Sequence, residues 1–111
     1  MLNTIFHIDE TIKWATVISN LHHMAEWMSE EDEEGTIELL VNGEAVNEAK
    51  ETSAQDLGAL LAIGVDVRIC KNSMSQRKIE ANEIQAGLKF VPSGVVELAL
   101  KQRVGYGYIK P

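Results

Sequence analysis

SAQDLGALLAIGVDVRICKNSM, residues 53–74, contains one complete helix, strand and turn, and this unit decides the fold class. Ser53 and Asp56 have the spacing of a helix-capping box, and leucines follow them at helical intervals until Gly64 predicts the end of the helix. VDVRIC, residues 65–70, predicts a strand, because apolar β-formers alternate with polar residues. The polar residues that follow predict short helical turns. The unit therefore predicts a fold in which helices and strands alternate along the chain.

The same alternation extends to both ends of the chain. Strands are predicted at residues 3–8, 36–41, 65–70, 88–91 and 106–110. Helical segments are predicted between them: one with its apolar face at Trp14, Val17, Ile18, Leu21, Ala25 and Met28, then residues 44–50, 53–64, 72–87 and 93–104. Five strands separated by helical crossovers indicate a three-layer α/β protein, in which a mainly parallel sheet carries helices on both faces.

Composition limits the function classes. At 111 residues the chain is predicted to form a single domain, residues 1–111, with an ordinary globular share of 45% apolar residues. The net charge of −7 argues against nucleic acid or an anionic membrane as a partner, because both are bound through basic patches. No stretch approaches the roughly 20 apolar residues of a membrane span, and the N-terminus does not resemble a signal peptide, so a soluble cytoplasmic protein is expected.

The charge is distributed unevenly. Fourteen of the seventeen acidic residues lie between Asp9 and Asp66, whereas residues 67–79 contain four basic residues and no acid. The only cysteine, Cys70, lies within this basic segment. The acidic run at residues 29–35 is interpreted as a solvated loop rather than a cation site, because its acids are consecutive and lack the alternating ligands of an EF-hand. No metal site is predicted.

Polar residues follow the predicted strands. Because the carboxyl ends of parallel strands share one edge of a sheet, and ligands bind at that edge, these residues are predicted to line a single cleft. The candidate substrate-binding residues are His7, Asp9, Asn42, Gly43, Lys71, Asn72 and Ser93, and the candidate catalytic residue is Cys70. His7 has a second interpretation of equal weight, as a structural histidine that closes the first strand.

The familiar nucleotide-binding patterns are not found at these turns. A Rossmann fingerprint or a P-loop needs glycines after the first strand, where this chain has HIDETIKW, residues 7–14. A receiver domain needs an aspartate at the end of the third strand, and Cys70 occupies that position. No cofactor is therefore predicted.

Two interpretations of Cys70 remain open. A thiol becomes reactive when cations or a helix N-terminus lower its pKa. Arg68, Lys71 and a helical turn that begins directly after Cys70, capped by Asn72 or Ser73, could all have that effect. In VDVRIC the side chains of Arg68 and Cys70 share one face of the strand, opposite the apolar set, which predicts an exposed thiol. In the alternative interpretation, Cys70 is a half-buried cysteine that only ends the strand.

The helix predicted at residues 93–104 is apolar on more than one side. Val95, Leu98 and Ala99 lie on one side of it, and Val96 and Leu100 lie on another. A single sheet face cannot cover both sides, so the pattern predicts a closed assembly in which a second subunit covers the remainder.

Four segments resemble the successive signature segments of the DsrE/DsrF-like proteins, small α/β subunits linked to intracellular sulfur oxidation and sulfur relay. These segments are IFHIDE (residues 5–10), VNGEAV (41–46), ICKNSM (69–74) and VPSGVVELALKQRVGYGYIKP (91–111). The cysteine followed by Asn-Ser and the C-terminal segment are the most specific of them. The similarity covers nearly the whole chain.

The resemblance implies a flavodoxin-like, three-layer fold of the DsrE/F type and assembly as a homotrimer or hexamer. It also implies that Cys70 carries sulfur as a persulfide. The leading function is therefore a sulfur carrier or sulfurtransferase-like subunit, which takes sulfane sulfur from a donor protein or a small sulfur species and passes it to an acceptor. Whether the chain is an enzyme stays open. The alternative is a non-catalytic small-ligand-binding or scaffold oligomer in which Cys70 only lines the pocket.

Overall fold

The structure, a computed structural model, describes residues 1–111 and contains one five-stranded sheet. The strands are β1 (Thr4–Ile8), β2 (Ile37–Val41), β3 (Val65–Cys70), β4 (Lys89–Val91) and β5 (Gly107–Ile109). The helices are α1 (Trp14–Glu30), α2 (Gly58–Ala62), α3 (Lys71–Gln76) and α4 (Gly94–Arg103), and short 3-10 helices cover Thr11–Lys13, Gly43–Ala49 and Ala81–Glu83. Every strand pairing is parallel, so the predicted α/β fold with a parallel five-stranded sheet is confirmed.

The sheet separates two cores because alternate residues of each strand face opposite sides. In β3, Val65, Val67 and Ile69 join a core of 21 buried residues to which α1, α2 and α3 also contribute. The other side holds a smaller core of four buried residues, in which Leu40 of β2 packs with Leu98 of α4. The protein therefore has the predicted three layers, with α4 on one face of the sheet and the remaining helices on the other.

The first helix, α1, buries the face that the sequence predicts. Trp14, Val17, Leu21 and Met28 are buried on it at intervals of three, four and seven residues, as one stripe of a helix requires. The stripe packs against the larger core and fixes α1 across the sheet. None of the helices in the structure combines the length and apolarity that a bilayer crossing needs.

The predicted capping box at Ser53 is not formed. The helix α2 begins later, at Gly58, and its N-cap residue makes no side-chain hydrogen bond. The Ser53 hydroxyl instead donates to Glu48 Oε2 at 2.7 Å and accepts from the Gln55 N–H at 3.0 Å. These bonds form a turn rather than a helix start. A Ser side chain can hydrogen-bond to the backbone in either structure, so its presence does not by itself identify a helix start. Gly64 does end the helix, with φ of +88°.

The order of the strands across the sheet is β4-β3-β2-β1-β5. The chain steps in one direction from β1 to β4 and then returns past β1 to place β5 on its far side. Right-handed crossovers require the returning connection to run over the opposite face, which is where α4 lies. The direction in which successive strands are added to the sheet therefore reverses between β1 and β5. This switch point brings the C-terminal residues beside the N-terminal strand.

A group of charged side chains lies between α4 and the sheet. Glu38 is fully buried on β2, and Lys101 Nζ donates to its Oε1 at 2.8 Å and to Glu97 Oε2 at 3.1 Å. The Arg68 guanidinium lies 3.5 Å from Glu97 and donates to Asp66 at 2.9 Å. Because the two cations lie between the three acids, the charges alternate and the cluster is closely compensated.

Candidate functional site

Cys70 lies at the carboxyl end of β3 and is also the N-cap residue of α3. Its Sγ accepts a hydrogen bond from the backbone N–H of Ser73 at 3.4 Å, which is the arrangement of a side-chain N-cap. The backbone N–H of Gly94, the first residue of α4, donates to the same Sγ at 3.2 Å. The first turns of two helices thus converge on one sulfur atom, and their N–H groups favour its negatively charged form.

The hydrogen bonds at this sulfur decide its acidity. Burial raises the pKa of the Cys70 thiol, but hydrogen bonds from the Ser73 side chain and from the backbone of Ser73, Gly94 and Asn72 outweigh burial, so the pKa is lowered from its ordinary value of 9.0. Arg68, which the sequence places near the thiol, instead pairs with Asp66 at 2.9 Å. The thiolate is therefore favoured by N–H and O–H donors rather than by neighbouring cations.

The sulfur is more enclosed than its strand position suggests. Cys70 does lie on the face of β3 opposite the apolar set, but it is only 4% exposed, so the prediction of an exposed thiol is wrong. The reason is α4, which crosses that face and places Gly94 in contact with Sγ. Alternation along a strand identifies the face on which a side chain lies, but not what covers that face.

The turn after β2 contacts both groups that bond to the sulfur. The Gly43 N–H donates to Ser73 Oγ at 2.8 Å, and Gly43 has φ of +57°, which few residues other than glycine adopt readily. Asn42 packs so closely on Gly94 that a Cβ on Gly94 would lie 3.1 Å from Asn42 Cβ and 3.3 Å from its Nδ2. These two residues therefore lie next to Cys70, as the sequence predicts for a shared edge.

His7 joins this turn to the far side of the sheet. Its Nε2 lies 2.8 Å from Asn42 Oδ1, and its Nδ1 lies 2.6 Å from the hydroxyl of Tyr108 on β5. An amide oxygen only accepts, so Nε2 donates to Asn42 Oδ1, and in the tautomer with its single ring proton on Nε2 the Nδ1 accepts the Tyr108 hydroxyl proton. Burial raises the pKa of Tyr108, which keeps the phenol protonated and able to donate. The three side chains form a continuous chain of hydrogen bonds along the sheet edge.

The remaining candidates are arranged around this chain. Asp9 pairs with Lys110 Nζ at 2.9 Å, and this hydrogen bond lowers the pKa of the Asp9 carboxyl. Lys71 and Asn72 are exposed in the first turn of α3, and Ser93 is the N-cap residue of α4, without a side-chain capping bond. The predicted residues thus extend along one edge, from Asp9 after β1 to Ser93 after β4.

Four residues at this edge are absent from the candidates chosen from the sequence: Ser73, Gly94, Tyr108 and Lys110. Ser73 had a visible signal, because it is the third residue after an N-cap cysteine, where capping bonds are made. Tyr108 and Lys110 lie in the C-terminal segment that resembles the family, but the sequence does not show their partners, since each bonds to a residue 101 positions away. Their positions follow only from the pairing of β5 with β1.

The surface cavities and acidic residues do not add a second site. Five cavities of about 250 to 450 Å³ lie away from Cys70, and the largest, about 450 Å³, is lined by the acidic residues 32–34 with parts of α1. No group of three or more His, Cys, Asp or Glu residues is placed to hold a metal ion.

Comparisons with known proteins give one family model and a similar solved structure. The DsrE/DsrF-like family model matches residues 2–111. Among solved structures, the chain is similar to the protein of unknown function MTH1491 from Methanobacterium thermoautotrophicum, with 26% sequence identity, a TM-score of 0.86 and coverage of 100% of each chain. No curated protein matches.

Proposed function

Because this chain belongs to the DsrE/DsrF-like family, we propose that it is a sulfur-carrier, sulfurtransferase-like subunit in which Cys70 accepts sulfane sulfur and passes it on as a persulfide. The observation that carries the proposal is the convergence of the Ser73 and Gly94 N–H groups on Cys70 Sγ, at 3.4 and 3.2 Å. A thiol with such donors has the lowered pKa that a sulfur nucleophile needs. The proposed setting is the cytoplasm, where such a thiol stays reduced.

In the accepting step, the Cys70 thiolate attacks the sulfane sulfur of a donor persulfide. A bond forms between Sγ and that sulfur, the sulfur–sulfur bond of the donor breaks, and the donor leaves as a thiolate that takes a proton from water. The N–H groups that stabilise the Cys70 thiolate donate to Sγ, the atom to which the sulfane sulfur becomes attached. No external oxidant is needed, because the sulfane sulfur moves between thiols without a net change in oxidation state.

In the delivering step, the thiolate of an acceptor attacks the outer sulfur of the Cys70 persulfide. The sulfur–sulfur bond at Sγ breaks, and Cys70 leaves as a thiolate. A thiol of lower pKa leaves faster in such exchanges, so the hydrogen bonds to Cys70 assist delivery as well as loading. One set of donors thus serves both directions of transfer.

Sulfur loading tests the proposal directly. Incubation of the protein with polysulfide should add about 32 Da, one sulfur atom, to the intact mass, and dithiothreitol should remove it. Cys70→Ser should abolish this increment while the folded chain is retained, because serine is nearly isosteric and can make the same N-cap bond. Intact-mass spectrometry before and after reduction is the measurement.

A folded protein that takes up no sulfur would contradict the proposal. The most telling form of this result is a Cys70 that ignores polysulfide and iodoacetamide in the native state but reacts with both in denaturant. Such a cysteine would be structural.

A second function is favoured by the burial of the thiol. Since Cys70 is only 4% exposed, it is also suited to a non-catalytic small-ligand-binding or scaffold oligomer, in which the sulfur accepts hydrogen bonds and does no chemistry. The same experiment separates the two functions, because only the carrier gains removable sulfur. In either case the proposed assembly is a homo-oligomer, a trimer or hexamer. The other proposed partners of the carrier are a sulfur donor, which is a protein or a small sulfur species, and an acceptor.

A further inference from the structure

The N–H groups of Ser73 and Gly94 donate to Cys70 Sγ, and both residues are held by the short turn after β2. Ser73 Oγ accepts the Gly43 N–H at 2.8 Å, and Gly94 lies so close to Asn42 that a Cβ on Gly94 would be 3.1 Å from Asn42 Cβ. Asn42 and Gly43 are adjacent in the chain and come directly after β2. Neither of them bonds to Sγ itself.

We propose that the Asn42–Gly43 turn positions the groups around Cys70, because the turn holds Ser73 and Gly94 against Sγ. In this role Asn42 and Gly43 act on the thiol rather than on a substrate. The inference rests on the proposed role of Cys70 as a reactive thiol and concerns the control of that same site. It assigns to these two residues a role different from the substrate binding that their strand-end position predicts.

The first contact runs through Ser73. A serine hydroxyl has one hydrogen, and its oxygen here is occupied by the Gly43 N–H, so the hydroxyl hydrogen is left to point elsewhere. The backbone N–H of the same residue, Ser73, donates to Cys70 Sγ at 3.4 Å. Gly43 therefore holds the residue whose N–H acts on the sulfur, and Ser73, which is buried, has little freedom to turn away.

The second contact runs through Gly94. The side chains of Asn42 and Leu40 leave only a tight space for a methyl group on Gly94, so the first residue of α4 lies close against the turn. This close packing fixes the direction of the Gly94 N–H, which donates to Sγ. A shift of α4 by a few tenths of an ångström would lengthen this bond from its present 3.2 Å and weaken it.

The turn is held in place from the other side by His7. The imidazole donates to Asn42 Oδ1 at 2.8 Å and is itself held by the Tyr108 hydroxyl at 2.6 Å. Asn42 is therefore restrained by β1 and β5 on one side and packs on α4 on the other. This arrangement explains why the conspicuous polar side chains His7 and Tyr108 lie at the sheet edge without touching Cys70.

The test is the pH profile of Cys70 alkylation by iodoacetamide, with Ser73→Ala and Asn42→Ala as the variants. Each variant should react at neutral pH about threefold to tenfold more slowly than the wild type, with its profile shifted to higher pH, because a hydrogen bond to a charged group is lost or weakened. At high pH, where all of the thiol is ionised, the rates should converge. A change that only opened the structure would instead speed the reaction at every pH.

Two substitutions of the same chemical kind serve as controls. Ser75→Ala lies on the same helix and Asn47→Ala on the same 3-10 segment, both at exposed positions, and both should keep the wild-type profile. A wild-type profile in a folded Ser73→Ala or Asn42→Ala variant would overturn the proposal. Should Asn42→Ala fail to fold, His7→Ala, which releases Asn42, takes its place with the same expected shift.

This experiment is separate from the test of sulfur transfer. If the profiles shift as expected but wild-type Cys70 takes up no sulfur from polysulfide, the proposed function fails and the positioning role stands. If wild-type Cys70 takes up sulfur and the variants keep its profile, the positioning role alone fails.

Discussion

Glu38 is a charged residue in the middle of a strand whose other residues are apolar. It is fully buried, and its Oε2 has no hydrogen-bond partner. Burial, together with the neighbouring Glu97, raises the pKa of Glu38 to about 7, whereas Glu97 has its pKa lowered by hydrogen bonds to Glu38 and Lys101 that outweigh its own burial. Burial therefore favours the protonated form of Glu38 up to about neutral pH, while Glu97 stays ionised beside it.

This proton makes stability depend on pH. Between the ordinary pKa of 4.5 and the folded pKa of about 7, the folded chain binds the Glu38 proton more tightly than the unfolded chain does. The contribution of Glu38 is therefore most favourable below 4.5 and is lost as pH rises through this window. Glu97 acts in the opposite sense, since its stabilising contribution is lost as pH falls below 4.5.

Glu38→Gln should remove this dependence while keeping the shape of the side chain. The free energy of unfolding of the variant, relative to the wild type, should rise between about pH 5 and about pH 8, because only the wild type must give up a proton there. Urea unfolding at the two pH values measures the difference. Glu44→Gln, at an exposed position, should show no such change. A constant difference for Glu38→Gln would mean that Glu38 is already ionised at the lower pH.

At the scale of elements, α4 connects the parts of the site. Its first residue donates to Cys70, its third turn carries Lys101 into the buried charged cluster, and Leu98 fills the smaller core. α4 is the single α-helix on the face of the sheet that holds the smaller core. Its packing on the sheet therefore decides how closely the Gly94 N–H approaches Cys70 Sγ. Packing of α4 and chemistry at Cys70 are therefore linked.

Gly94→Ala tests this link. The added methyl group would lie 3.1 Å from both Asn42 Cβ and Leu40 Cδ1, so α4 or these side chains must shift by a few tenths of an ångström, and we expect a loss of about 1 to 2 kcal/mol in the free energy of unfolding. The rate of Cys70 alkylation at neutral pH should fall as well, because the Gly94 N–H moves from the sulfur. Urea unfolding and iodoacetamide kinetics measure the two effects.

Gly107→Ala is the matched control on β5, where the new methyl group would meet only Asn3 O, at 3.9 Å. It should leave alkylation unchanged. Normal stability together with normal alkylation in Gly94→Ala would show that the helix tolerates the methyl group without moving, and that the close contact with Asn42 does not set the N–H position.

At the scale of the whole molecule, the outer side of α4 is apolar and uncovered. Val95, Val96, Leu100 and Val104 are all exposed, and Val96 is 53% exposed. The inner side of the same helix packs on the sheet through Leu98. The helix is thus apolar on more than the face that the sheet buries, which is typical of a subunit interface.

We expect a homotrimer or hexamer in solution, and light scattering should give a mass of about three or six times the 12.3 kDa of the chain. Leu100→Asp, at a position 40% exposed, should shift the mass toward the monomer, because a charge would be buried in the interface. Ile12→Asp, at a position 83% exposed outside α4, should leave the mass unchanged. A monomeric wild type at micromolar concentration would reject this assembly.

The sequence alone determined the elements and the faces of this protein. Alternation in VDVRIC assigned Val65, Val67 and Ile69 to one side of the sheet and Cys70 to the other, and helical spacing identified the buried face of α1. The strand ends identified the edge along which His7, Asn42 and Cys70 lie. These features are local, since side-chain direction repeats every two residues in a strand and about every 3.6 in a helix.

Only the tertiary structure decided which strand lies beside which, and what covers Cys70. The pairing of β5 with β1 brings Tyr108 to His7, across 101 residues of sequence, and the seating of α4 buries the thiol and gives it the Gly94 N–H. The pKa of Glu38 is raised for the same reason, because burial and Glu97 on α4 both act on it. Strand order and helix placement depend on contacts between distant segments, and local periodicity contains no information about those contacts.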